Sequence, residues 1–544
     1  MLLDIRPDHL RMVLDILQKH VPQYEVWAFG SRAKWTAKDY SDLDLCVVSN
    51  QPLNFPLLGA LAEDFSDSDL PWKVDVVDWA TVSESFRKII ARDKVVVQKA
   101  GMSEWSTARV AQVATINSEA IGRDWPYSHV SYIDISSVGE GQMEAPPQRL
   151  NIADAPSRAK RLVRKGDTVI STVRPNRRSM FFVSNPSDDW VVSTGFAVLR
   201  PNTTKIDPRY LYTCIFNQTF TEYLIGREKG AAYPAVSPED IGNAEIALPP
   251  LEKQRAIAHI LGTLDDKIEL NRRMNETLEA IARAIFKSWF VDFDPVRAKA
   301  SGEAPESICQ RLGLTPDLLA LFPDRLVDSE LGDGSTSLTT GIPEGWGIGA
   351  FHSCCERIES GGTPSRSIAE YWNGSIPWLT SGEVRDVIVL DTKEKITEAG
   401  LNASSAKIWP IGTTVVAMYG ATAGQVCLLA EAMTANQACC ALIPKPEFIS
   451  FVFLTARASI SQLSDKASGS AQQNLNKSLV ANHQLILPTL KIAEAFERIV
   501  SCLIDKWISN QRGSESLAAL RDALLPKLLS GELRVPDAEK ALEA

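Results

Sequence analysis

Three aspartates and a glycine turn in the first hundred residues have the types and spacing of a phosphate-handling site. The turn is Phe29-Gly-Ser-Arg-Ala-Lys34, two carboxylates lie in Ser41-Asp-Leu-Asp-Leu45, and the third is Asp75 in Lys73-Val-Asp-Val-Val77. Gly30 lets the backbone approach a phosphate, and Ser31 is placed to cap a following helix whose first amides favour an anion. Asp42 and Asp44 are two apart on a predicted strand, so both carboxylates face one side with Cα atoms about 6.6 Å apart. From there they can share two Mg²⁺ ions, with Asp75 on a neighbouring strand as third carboxylate and as base for an attacking hydroxyl. Gly-Ser alone or Asp-x-Asp alone specifies little; the ordered set carries the reading.

These residues need a sheet to hold them. Val26–Phe29, Leu43–Val48 and Lys73–Val77 read as its strands, in an α/β unit ending at residue 100. Residues 103–250 are mixed, with short β-rich runs such as Thr168–Val173 and Val191–Leu199. A helix of about 39 residues, close to 58 Å long at 1.5 Å per residue, follows from Leu251 to Trp289. The expected parts are 1–100, 103–250, a central helix within 251–293, a connector 294–341, a second mixed domain 342–489, a distal helix within 490–535, and a tail 536–544. The connector is rich in Pro, Gly, Ser and acids and reads as short helical pieces. Gly513 and Pro526 are expected to loosen or kink the distal helix, and the charged tail to fray.

Much of the chain is written twice. Gly230 to Phe290 returns 239 residues later as Gly469 to Leu529, with Ile246-Ala-Leu-Pro249 on Leu485-Ile-Leu-Pro488. Upstream, Gly166–Val173 matches Gly412–Tyr419 and Val130–Ser136 matches Ile376–Gly382, both at an offset of 246, so insertions and deletions sit in loops. A period this long means two whole domains rather than a solenoid. In the helices Ile257, Ile260, Leu264, Ile268, Leu278, Ile281 and Ile285 fall on Phe496, Ile499, Leu503, Trp507, Leu517, Leu520 and Leu524. Most steps are three or four residues, an apolar stripe too long to bury against one small domain. Its duplicate is the obvious partner, paired antiparallel. Asn271 matches Asn510, and either fixes register in the seam or sits idle at its edge.

Composition sets bounds on function. Charged residues make up 23% of the 544 and hydrophobic ones 45%, an ordinary globular balance. The nine cysteines include no Cys-x-x-Cys pair, and Cys354-Cys355 and Cys439-Cys440 read as core or strand residues rather than metal ligands. With no signal-peptide core and no apolar run of membrane-span length, the protein is expected in the cytoplasm. A net charge of −10 argues against indiscriminate nucleic-acid binding. Its distribution tells more: between Pro156 and Arg178 eight Lys and Arg face one acid, Asp167.

The order of these motifs resembles the specificity subunit of Type I restriction-modification systems over 103–535. The carrying residues are Gly361-Gly-Thr-Pro364 with Tyr371-Trp372 and Ile376-Pro-Trp-Leu379, Val415 to Gly424, Asn436-Gln437, Leu248-Pro-Pro-Leu-Glu-Lys-Gln-Arg255, and the spacer Phe290-Val-Asp-Phe-Asp-Pro295 with Leu321-Phe-Pro-Asp324 and Asp328-Ser-Glu-Leu331. The resemblance implies two target-recognition domains, each reading half of a bipartite site on double-stranded DNA. Their helices would serve as ruler and as platform for two methyltransferase subunits, which carry S-adenosylmethionine, beside a motor-nuclease subunit that uses ATP. This portion would hold no cofactor. Base edges are read by Arg, Lys, Asn and Gln in the major groove. The candidate DNA contacts are Lys165, Arg174, Arg177 and Arg178 in the first domain and Arg366, Tyr419, Gln425, Gln472 and Gln473 in the second.

Residues 1–100 are unusual for that family and resemble the minimal nucleotidyltransferase domain of bacterial antitoxin-like proteins. On that resemblance Gly30, Ser31, Arg32 and Lys34 bind a nucleoside triphosphate, while Asp42, Asp44 and Asp75 hold Mg²⁺ and catalyse. Members commonly carry glycine where this chain has Trp35, whose ring either crowds the phosphate loop or covers an apolar edge. The expected fold is α/β multidomain: a nucleotidyltransferase-like α/β domain, then two mixed α/β target-recognition domains joined by two long antiparallel helices. The leading function is DNA specificity. The alternative is a nucleotidyltransferase delivered to DNA or to a partner by the remainder.

Overall fold

The computed structural model describes the chain except residues 1–2, 23, 39, 50–51, 99–104, 123, 231–233, 332–337, 469–474 and 544. It divides into two compact units, 1–265 with 519–544 and 266–518. Among the described residues no helix is long and apolar enough to cross a membrane.

The first hundred residues form a four-stranded sheet in the order Val74–Asp78, Leu43–Val48, Glu25–Phe29, Val95–Gln98. Strand alternation decides its faces. Leu43, Leu45 and Val47 point to a core shared with Val13 and Leu17 of helix Pro7–His20 and Leu61 and Phe65 of helix Phe55–Ser66. Cys46, Trp27 and Phe29 point the other way, onto Ile90 of helix Glu84–Asp93. Asp44 belongs to this second face. It is flanked in register by Phe29 of an antiparallel strand and Asp75 of a parallel one.

The duplication is legible strand by strand. In the first copy Thr168–Ser171 lies between Met180–Phe182 and Phe196–Pro201; in the second Thr414–Ala417 lies between Val426–Leu429 and Cys439–Pro444. A second sheet is built on a parallel pair in each, His129–Ile133 with Trp190–Ser193 and Trp372–Leu379 with Thr434–Ala435. Each copy is closed by its first and last strands, Ser106–Arg109 with Glu245–Leu248 and Gly347–Ala350 with Gln484–Leu487. The last strand leads straight into a long helix. The adjacent cysteine pairs are buried, Cys439 and Cys440 within a strand and Cys354 and Cys355 where a helical turn passes into one.

Those helices are Leu251–Phe290, 40 residues, and Leu490–Ser530, 41 residues. In one unit Asn271 meets Asn510 and Phe290 meets Phe496 at 4.8 Å between ring centroids. In the other Arg521 pairs with Asp265 at 2.8 Å. Rising numbers on one helix meet falling numbers on its partner, so the pair is antiparallel. Ile257, Ile260, Leu264, Phe496, Trp507 and Leu524 are buried, and Ile268, Leu278, Ile285, Ile499, Leu503, Leu517 and Leu520 are half-buried. Ile281 departs from the expected stripe and is 42% exposed. At 100° per residue the inward place goes to Ala282, one residue on, and the seam continues through Phe286 and Trp289.

Residues 294–341 are more than a connector. Helices Asp294–Ala300, Pro305–Leu312 and Pro316–Ala320 each carry proline in the first turn, where its missing N–H costs nothing. Phe293, Val296, Ile308, Leu319 and Phe322 join the large core around Trp289 and Phe496. A hairpin, Leu326–Leu331 with Leu338–Pro343, was not anticipated. The distal helix runs unbroken through Gly513 and Pro526, and the tail forms a helix, Val535–Glu543, anchored by buried Ala538.

Candidate functional site

The acidic end of the N-terminal sheet is assembled by register. Asp44 and Asp75 are direct partners across a parallel pair, and Asp42 stands exposed just before the strand begins at Leu43. Gly30 turns with φ +77°, and a β-carbon there would collide with the Asp44 carboxylate, so only glycine lets the turn lie against it. Burial raises the Asp44 carboxyl above the ordinary range, and the neighbouring Asp75 and Asp42 charges push it further. Asp75 itself is held by Lys73 at 2.5 Å. Among the described residues no three acidic, His or Cys side chains converge as a ready metal cage. Like charges stay apart, and Asp75 turns to the nearest cation.

Two expectations for the turn are corrected. Ser31 does not cap the helix: it lies inside the single turn Gly30–Ala33, whose N-cap is Phe29 with no side-chain bond. Arg32 does not face a nucleotide. It is buried, donates to the carbonyls of Ser41 and Asp4 at 2.8 and 3.0 Å, and lies 4.5 Å over the Trp72 ring. A side chain one place past the turn is aimed into the domain, where it clasps the loop that leads to Asp42. Lys34 is half-exposed and pairs with Asp93 at 2.6 Å. Trp35 has φ +59° and is 55% exposed, so its ring covers no core. That left-handed conformation costs any bulky residue, which accounts for glycine being usual there.

Asp78, three places after Asp75, is also acidic but serves the fold. It is buried and accepts bonds from Ser49, Leu53 N at 2.7 Å and Ala80 N at 3.0 Å.

In the first duplicated domain the basic turn follows strand Thr168–Ser171. Arg174 and Arg178 flank one 3-10 turn, both with left-handed φ, at 50° and 52°. Arg177 is exposed and Arg174 half-buried. Arg178 is withdrawn: it bonds the Phe216 carbonyl, pairs with Glu140 at 2.7 Å and lies 4.5 Å over the Phe216 ring. Its role in DNA contact is therefore corrected to that of a clasp. Lys165 is exposed on a different turn.

In the second domain the equivalent turn carries Tyr419, 38% exposed, and half-buried Gln425. Gln472 and Gln473 lie outside the described residues. Glu394 takes the Arg366 guanidinium in two bonds of 2.6 and 2.8 Å while it lies 3.8 Å over Trp372.

What sequence reasoning missed is that distant motifs meet. Trp378 donates Nε1–H to the Gly362 carbonyl at 2.9 Å, Gly362 N–H bonds the Ala435 carbonyl at 2.8 Å, and Thr363 bonds Gln437. A β-carbon at Gly361 would strike the carbonyls of Ala435 and Asn436. The glycine pair is there so that two backbones can touch.

Residues 102–280 and 343–512 match the family model described as the Type I restriction modification DNA specificity domain. The chain belongs to the Type I restriction-modification specificity family. Within it, the chain is 33% identical over 417 residues to the HindI specificity subunit of Haemophilus influenzae, spanning 70% of this chain and 90% of that one. It is 25% identical over 381 residues to the MjaIX specificity subunit of Methanocaldococcus jannaschii, 69% and 80% of the two chains. Residues 10–98 match the family model of a nucleotidyltransferase domain. Over 97 residues, 18% of its length, the chain is 57% identical to a Haemophilus influenzae protein described as "Probable protein adenylyltransferase MntA", of which it covers 85%. This specificity subunit therefore joins DNA addressing to a nucleotide-handling fold in one chain.

Proposed function

We propose that 103–250 and 342–489 each read one half of a bipartite DNA site, while the helices within 251–293 and 490–535 set the spacing and seat two methyltransferase subunits and a motor-nuclease subunit. Methyl transfer and cleavage belong to those partners, with their S-adenosylmethionine and ATP. The observation that carries this reading is the strand-for-strand duplication, each copy leading into a helix that pairs antiparallel with its own duplicate. Exposed Arg177, Lys165 and Tyr419, with Arg174 and Gln425, are the contacts it assigns to DNA. Methylome sequencing of cells expressing the complex tests it: one bipartite motif that depends on this chain is expected, and a continuous motif would refute it.

A second activity is favoured by the pairing of Asp44 with Asp75 under the Gly30 turn. We infer that residues 1–100 transfer a nucleotidyl group from a nucleoside triphosphate to a hydroxyl, whose oxygen bonds the α-phosphorus as the bond to the β-phosphate breaks and pyrophosphate leaves; the likeness to a protein adenylyltransferase supports a protein hydroxyl as acceptor. The donor set suits Mg²⁺: neighbouring carboxylates, one of them with its carboxyl raised by burial and by the Asp75 and Asp42 charges, are what a divalent cation would relieve. Asp42, Asp44 and Asp75 would hold the metal, which neutralises the phosphate charge. Asp75 is placed to take the proton of the attacking hydroxyl, and Gly30 to admit the triphosphate against the sheet. Transfer of label from α-labelled ATP to protein, lost in an Asp42→Ala and Asp44→Ala double variant, is the expected result; label transfer indifferent to both changes would refute it.

A further inference from the structure

The first recognition domain and the start of the central helix line an open pocket of about 570 Å³ that neither reading uses as a ligand site, although the DNA reading takes Lys165 from its rim. Its mouth gathers Lys165 from a tight turn, Arg209 from the start of helix Pro208–Phe216, and Arg255 and His259 from successive turns of the central helix. Phe182 forms a wall. Lys165, Arg255 and His259 are exposed, and among the described residues no carboxylate lies within ion-pair distance of them. The one carboxylate of the lining, Asp207, accepts the Tyr210 N–H at 3.0 Å as the helix cap. Arg209 is held by the Gly262 carbonyl at 3.0 Å and lies 5.3 Å from the Phe182 ring centre, so its guanidinium enters the site already oriented.

The duplicate supplies the control. Gly166 beside Pro208 corresponds to Gly412 beside Ile449: a β-carbon would meet those neighbours at 3.5 and 3.3 Å respectively. Around Gly412, however, Lys165 is replaced by Ile411, Arg255 by Glu494, Ala258 by Glu497 and Arg209 by Ser450. There Glu497 accepts Ser450 N–H at 2.7 Å and Ser450 Oγ–H at 3.0 Å, so its carboxylate occupies the place of Ala258. In the second copy the same frame thus lacks the counterparts of Lys165, Arg209 and Arg255 and carries two carboxylates, and of these positions only that of His259 holds a cation, Arg498. A shared scaffold requirement would have kept them alike.

We propose that this pocket binds a phosphate-bearing small ligand of nucleotide size, with the phosphate on Lys165, Arg255 and His259 and the apolar part against Phe182. The volume lies within the range of small-molecule sites. Two cationic side chains and an imidazole brought together from two elements suit a tetrahedral oxyanion better than a planar carboxylate.

The test uses the full chain carrying Asp42→Ala and Asp44→Ala, in EDTA, so that the N-terminal domain contributes no metal-dependent nucleotide binding. Calorimetry with AMP, inorganic phosphate and a short duplex is compared between this protein and one also carrying Lys165→Ile and Arg255→Glu, the residues of the second copy. AMP and phosphate are expected to bind, and the exchange to weaken AMP at least tenfold while the melting temperature stays within a degree or two. His259→Gln should weaken it severalfold. No binding of AMP or phosphate at millimolar concentration overturns the proposal, as does AMP binding unmoved by the exchange. Loss of duplex affinity alone would make the pocket a DNA contact and equally overturn it.

Discussion

Asn271 and Asn510 occupy the same position in the two copies of the duplicated helix, and they meet: Asn271 Nδ2 donates to the Asn510 carbonyl at 3.3 Å, with both residues buried. Their flanking bonds repeat the symmetry. Asn271 donates to Ser514 Oγ at 3.2 Å and Asn510 to Asn275 Oδ1 at 2.9 Å, and Ser514 and Asn275 are themselves related by the 239-residue offset. A residue can touch its own duplicate only where a two-fold relation passes between them. The polar layer therefore marks the centre of the helix pair. Sliding one helix by two turns would set Asn271 opposite Leu503 or Leu517, and Asn510 opposite Leu264 or Leu278.

Replacing Asn271 by Leu should destabilise the helix pair by about 1–3 kcal/mol, since Ser514 and the Asn510 carbonyl lose a buried donor. Asn510→Leu should cost a similar amount. In the double variant the cost should fall below the sum, because the layer becomes apolar at both ends. A double-mutant cycle on urea midpoints measures this coupling; strictly additive costs would mean the two side chains act independently.

Arg177 and Arg178 are neighbours with different expected phenotypes. Arg177→Ala should leave the melting temperature alone and flatten the salt dependence of DNA binding by roughly one unit of slope, the signature of a lost phosphate contact. Arg178→Ala should destabilise the first recognition domain by about 1–3 kcal/mol, through loss of the Glu140 pair and the Phe216 contacts. Equal salt slopes in the two variants would contradict this assignment.

Trp35→Gly should stabilise the N-terminal domain by about 1 kcal/mol, because the left-handed φ of +59° no longer carries a β-carbon. The exposed ring contributes little packing to offset this. A differential melt of the domain transition reads the change, and a lowered transition would mean that the ring has a partner.

The raised Asp44 carboxyl predicts a pH dependence of definite sign. Burial and the Asp75 and Asp42 charges penalise its ionised form in the folded state. The folded protein therefore holds that proton more tightly than the unfolded chain does, and stability falls as pH rises from the ordinary aspartate range through the raised value. Asp44→Asn should remove this loss and melt higher than wild type near neutral pH. Millimolar Mg²⁺ should raise the wild-type melt and leave Asp44→Asn unmoved; an equal Mg²⁺ response would place the cation elsewhere.

The sequence by itself determined the duplication, the two helices, the family and the ordered glycine–aspartate set. Each is a matter of residue type at fixed spacing along one chain, which period, offset and motif report directly. It also placed Asn271 opposite Asn510 in the alignment, but not in contact. Only the tertiary structure decided which charges are spent within the fold. Arg32 and Arg178 share the residue type of nucleotide- or DNA-binding arginines, yet each is claimed by a carbonyl, a carboxylate or a ring from a distant segment. Ile281 and Ala282 differ by 100° of helix rotation, which a stripe of apolar letters cannot resolve when both are apolar. The cationic pocket was invisible for the same reason: Lys165, Arg209 and Arg255 lie 44 and 46 residues apart along the chain, and only packing a strand turn against two helices brings their charges to one mouth.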